Sequence, residues 1–158
     1  MAKDILLYET GNGGDMSISN NDLDTVEMLL QQAYICLFGG NIEADTRGDE
    51  IESEIREDWW ANSLHFKDSP GKQFNSDTER TLNTTAINSS GRIKIIRAVE
   101  GDLKNLKKIA NFSVDVQINS TNKITIFVKL SAPDNQQDKT LQILWDNAKK
   151  EIIFDKII

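Results

Sequence analysis

The stretch Ser113-Val114-Asp115-Val116-Gln117-Ile118-Asn119-Ser120-Thr121-Asn122-Lys123-Ile124-Thr125-Ile126-Phe127-Val128-Lys129-Leu130 decides how this chain folds. Apolar residues fall at every second position, Val114, Val116 and Ile118, and again at Ile124, Ile126, Val128 and Leu130. Period-two alternation marks half-buried strands, and Ser120-Thr121-Asn122 between the runs is turn chemistry. Two antiparallel strands are therefore predicted, Ser113 to Ile118 and Lys123 to Leu130. A looser connection, Ala132 to Asp138, leads to a third strand over Thr140 to Trp145. Glu151 to Ile158 has strand composition too, open between pairing as a fourth strand and projecting to another subunit.

Upstream of the meander the period changes. Ile93, Ile96, Val99, Leu103, Leu106 and Ala110 recur at spacings of three and four, which predicts a helix from Ser90 to about Asn111. Gly101 weakens its middle by about 1 kcal/mol relative to alanine. The opposite face carries Arg92, Lys94, Arg97, Lys104, Lys107 and Lys108 against Glu100 and Asp102, six cations minus two anions, or +4. Such a face can meet an acidic surface, either residues 41 to 58 of the same chain or those of a neighbouring copy.

Towards the N-terminus, Ile5 to Tyr8 reads as a strand, a glycine-rich turn covers Thr10 to Gly14, and Asp15 to Asn20 pairs back. Met16 and Ile18 alternate with serines, so they are expected on the buried side of that hairpin. Asp24 and Glu27 have capping-box spacing ahead of a helix over Thr25 to Phe38. Its apolar positions, Val26 to Phe38, spread widely enough to imply burial on more than one side. A shorter helix is expected over Ser76 to Leu82 within a polar and acidic region spanning about 41 to 91. The fold class is α+β, a single domain over 1 to 158: two main helices on a mainly antiparallel sheet, with an N-terminal hairpin and a C-terminal β meander.

Composition bounds the function. At 158 residues, 39% hydrophobic and 27% charged, the chain is an ordinary globular domain with enough length for its own core. No apolar run approaches the roughly 20 residues that span a bilayer, and Met1-Ala2-Lys3-Asp4 has no signal-peptide core, so cytoplasmic retention and no membrane contact are expected. Cys36 is the one cysteine and His65 the one histidine. An internal disulfide is excluded, and a metal centre or a Cys-His or Ser-His-Asp catalyst has almost nothing to work with. No cofactor is expected. A net charge of −7 disfavours nucleic acid as a partner.

The charge is concentrated. From Asn41 to Asp58 there are eight carboxylates against Arg47 and Arg56, a net of −6, and the segment ends in Trp59-Trp60. Tryptophan has a large apolar surface and is enriched at protein interfaces, so Arg56, Trp59 and Trp60 join Arg97, Lys104 and Lys108 as interface candidates. In an extended segment adjacent rings point to opposite sides, so one ring is expected buried and the other half-exposed. An alternative is a peptidoglycan-degrading, lysozyme-like enzyme using Glu54 and Glu57 beside a sugar-stacking ring, and a second is a cytoplasmic protein-binding regulator. Among eight acids some pair falls at catalytic separation by chance, and a solvated face explains them. No catalytic residue is assigned.

Several of these features occur in a familiar order. Asp4-Ile5-Leu6-Leu7, then Gly14-Asp15, then Asp22-Leu23 before a helix ending Ala33-Tyr34-Ile35-Cys36-Leu37-Phe38, the Trp59-Trp60 pair and the late Leu144-Trp145 resemble the Mu-like phage tail proteins of the gene-product-forty-six family. That family is similar to the gene-product-twenty-five-like wedge proteins of contractile-tail baseplates and to the corresponding subunit of type VI secretion. Asp58 and Ala61 flank the tryptophans here, where the family carries glycines. The resemblance implies a non-enzymatic structural subunit of a phage, prophage-derived tail or injection device, present in several copies. Its partners would be the wedge scaffold, the tube and the sheath, first in the host cytoplasm and then in the virion baseplate.

Overall fold

The computed structural model describes residues 3–9, 14–39, 62–69, 76–131 and 138–157. The C-terminal half holds the largest sheet. Strands β7 (Asn111–Ser120), β8 (Lys123–Ser131), β9 (Lys139–Asp146) and β10 (Glu151–Ile157) pair antiparallel in the order β10-β9-β8-β7. The alternation sets the register: Val116 lies opposite Ile126, which lies opposite Ile143, while Ile124 faces Trp145 and Val128 faces Leu141. All of these side chains are buried. The open choice for the C-terminal run resolves towards pairing, because β10 bonds to β9 with a register shift between Ile152 and Phe154.

The described helices are α1 (Met28–Phe38), the short α2 (Asn62–His65), α3 (Asp77–Thr84) and α4 (Ser89–Asp102), which continues as a 3-10 helix over Leu103–Lys108. Of these, α1, α4 and its 3-10 extension lie against this sheet, and α3 packs on α1 and α4. None of the described helices is long and apolar enough to cross a membrane. Helix α1 is central. It touches α3, α4, the 3-10 helix and β9, and it buries Leu30, Ala33, Tyr34, Cys36, Leu37 and Phe38, hence the broad apolar stripe in its sequence. Truncating a side chain such as Leu30 or Leu37 to alanine there would cost about 2–5 kcal/mol.

Two helix readings are corrected. Helix α1 starts at Met28, because Thr25–Glu27 is strand β6, paired with β1 (Lys3–Ile5). Asp24 does not cap it: its carboxylate accepts the hydroxyls of Ser17, at 2.6 Å, and Ser19. In α4 the buried line is Gly91, Ile95 and Val99, whereas Ile93 is 49% exposed. The cause is Gly91. A Cβ there would stand 2.0 Å from the Ala86 carbonyl oxygen, so glycine lets the first turn press against the Thr85–Ala86 backbone, and that contact sets the helix rotation. Asn88 caps the turn, accepting the Gly91 N–H at 2.8 Å.

The N-terminal hairpin is more elaborate than the reading of its turn. Besides β1 and β6, strand β2 (Leu7–Glu9) pairs with β3 (Gly14–Met16), and β4 (Ile18–Ser19) pairs with β5 (Asp22–Leu23) across Asn20 and Asn21, both at positive φ. That two-residue Asn-Asn connection is a tight hairpin turn, a signal present in the sequence. Leu6, Ser17 and Asp24 join the pieces through backbone bonds of 2.8–3.0 Å. The unit is fastened to α1 by the buried Gln31, whose amide accepts the Leu7 N–H at 3.2 Å and donates to the Leu7 carbonyl at 3.4 Å.

Candidate functional site

Strand alternation gives the N-terminal unit two faces. One turns Val26 towards the core, with the half-buried Leu6 on the same side. The register sets Leu7 beside Met16 and Ile18 beside Leu23, with Ile5 two positions from Leu7, so these five share the other face. That face is exposed: Ile18 is 68% accessible and Met16 47%. The expectation that Met16 and Ile18 lie on the buried side is thus reversed. The core is already filled from the sheet and helices, and only the intervening residues of the unit reach it. A cluster of large apolar side chains turned to solvent marks an interaction surface.

The second surface is the outer side of α4. Lys94 and Arg97, with Arg80, Asp77, Thr81, Thr85 and Ala98, line an open depression of about 430 Å³ between α3 and α4. Arg80 pairs with Asp77. Further along, Lys104, Lys107 and Lys108 are exposed on the 3-10 helix, Lys107 with its ammonium 5.4 Å from the Phe112 ring centre. Arg92 leaves the basic face: it donates to the Val116 carbonyl on the outer edge of β7 and pairs with Asp115 at 2.8 Å. The structure leaves Arg97, Lys104 and Lys108 exposed, with Lys104 and Lys107 on one face of the 3-10 helix and Lys108 turned about a third of a turn away. Arg56, Trp59, Trp60, Glu54 and Glu57, and with them the expectation about the two rings, lie outside the described residues.

Beneath the depression three elements meet at a polar junction. Ser76 is completely buried, donates its hydroxyl to the Leu37 carbonyl at 2.5 Å and caps α3 by accepting from Glu79 N–H at 3.3 Å. The buried Asp102 carboxylate accepts the N–H groups of Thr78 at 2.8 Å and Asp77 at 3.1 Å. Burial pushes its pKa up to about 6, against the pull of those donors. Sequence reasoning placed Asp102 on the wet face, because nothing in the α4 pattern shows that the start of α3 covers it.

The two lone reactive side chains lie in different settings. Cys36 is buried in α1, and burial raises its thiol to about 11, so it is protonated at neutral pH. His65 is exposed at the end of α2, its ring 6.3 Å from that of Phe66. Among the described residues no group of three His, Cys, Asp or Glu side chains could hold a metal ion. Comparison with family models, curated proteins and solved structures returned no match.

Proposed function

We propose that this chain is a structural subunit of a contractile phage tail or prophage-derived tail, a baseplate-wedge component that joins the wedge scaffold to tube and sheath. The observation that carries the reading is the apolar outer face of the N-terminal unit, Ile5, Leu7, Met16, Ile18 and Leu23, held in register on strands and hung from α1 through Gln31. A rigid apolar face of this kind suits permanent contact with other subunits. The order of motifs from Asp4 to Trp145 gives the kind of assembly its identity. In this reading no residue performs chemistry: the chain contributes surfaces.

The test is particle composition. Tails induced and purified from a host carrying the gene should contain this chain, and an Ile18→Asp, Leu23→Asp variant that folds normally should be missing from them or leave them unassembled. Intact contractile tails that lack the native chain would sink the proposal.

A further inference from the structure

The cations on the outer side of α4 and its 3-10 extension lie close together along one stretch of chain and lack the carboxylate partners that several other cations have. Arg80, Arg92, Lys123, Lys129, Lys139 and Lys149 all have carboxylate partners. Lys94, Arg97, Lys104, Lys107 and Lys108 have none among the described residues, and Lys94, Arg97, Lys104 and Lys107 follow the outer side of the helix and its 3-10 extension, where residues three apart share a face, with Glu100 the exposed anion among them. Gly101 lies between Arg97 and Lys104. A Cβ added there would meet nothing within 4 Å, so no internal packing asks for glycine, and the helix gives up stability to keep its outer surface bare. A bare backbone between cations admits the close approach of another chain.

We propose that this ridge docks the acidic segment, residues 41 to 58, of a second copy of the same chain. Charge complementarity selects the occupant: the segment carries eight carboxylates against two arginines, and it holds −6 of the chain's −7. A two-fold pair satisfies both copies at once, because each gives a segment and receives one on its ridge. Such a contact offsets, at short range, the repulsion between two chains of −7. The inference is independent of the tail assignment, since it concerns only contact between copies.

Sedimentation velocity on the full chain tests it. At an ionic strength of about 0.01 M, where screening acts over about 30 Å, the native protein should self-associate, and the dissociation constant should weaken at least about tenfold at 0.15 M. Arg97→Glu with Lys104→Glu should abolish association while leaving the helical circular dichroism unchanged. Glu52→Lys with Glu54→Lys should do the same, and mixing the two variants should restore a heterodimer. Gly101→Gln should weaken the contact without any change of charge. A native chain that stays monomeric at low salt, as it would if the segment occupied its own ridge, overturns the proposal. So does association untouched by charge reversal, failure of the mixed variants to pair, or loss of duplex DNA binding in the ridge variant with self-association intact.

Discussion

The carboxylate of Asp102, in the last turn of α4, accepts the backbone N–H of Thr78 in the first turn of α3, at 2.8 Å. The two helices are thus joined end to start by a buried anion, close enough to Cys36 and Asp77 to perturb and be perturbed by them. A carboxyl whose folded pKa is about 6, against 3.8 unfolded, binds its proton more tightly in the native state. Stability attributable to it therefore falls as pH rises from about 4 through about 6, by an amount of order 3 kcal/mol at neutrality. Denaturant titrations of native protein and Asp102→Asn across that window should diverge, with the variant gaining relative stability as pH rises. Parallel curves would remove Asp102 from the account.

Glycines 91 and 101 lie in the same helix and should respond oppositely to alanine. Gly91→Ala forces a Cβ against the Ala86 carbonyl and should cost about 1–3 kcal/mol. Gly101→Ala meets open space and should add about 1 kcal/mol. Chemical denaturation midpoints of the two variants check both signs.

Lys150 has a φ of 57° in the turn between β9 and β10, and its ammonium donates to the Asn83 carbonyl and to Asn147 Oδ1, each at 2.8 Å. It neutralises the carbonyl end of α3 while its backbone bears strain. Lys150→Ala should lose about 1 kcal/mol because it keeps the strain and drops the contacts. Lys150→Gly relieves the backbone and should lose less, and the reverse order would refute this division of roles.

The thiol of Cys36 should be nearly inert. A pKa raised by burial to about 11 from 9.0 leaves about a hundredfold less thiolate at pH 8, before restricted reagent access is counted. Labelling with a disulfide reagent should be slower by at least that factor in native than in denatured protein.

Replacing Ile18 by serine should change folding stability by less than about 0.5 kcal/mol, because the residue is 68% accessible. Binding of an apolar fluorescent dye to the native protein should fall markedly. A large loss of stability instead would mean that the face is packed in solution.

How far the sequence could be read depended on where each constraint comes from. The meander was legible because its constraint is local: alternation and a turn specify strands Asn111–Ser120 and Lys123–Ser131 to within two residues of their limits. Helix α3 was legible too, since Ser76 and Glu79 carry their own cap spacing. What escaped depends on contacts distant in the chain. Asp24 looks like a helix cap until Ser17 and Ser19 claim its oxygens, and Ile93 looks like core until Gly91 meets Ala86. The exposed N-terminal face escaped for a different reason. Alternation separates two sides of a strand without saying which one the rest of the protein covers.

The guanidinium of Arg92 on the rim of β7 bears on the behaviour of the protein at high concentration. A strand arriving at that rim needs the Val116 carbonyl as an acceptor, and it would have to evict a charged group that is also anchored to Asp115. This is protection against fibril-like stacking. It guards the middle of the β7 edge, while the opposite edge of the same sheet is β10.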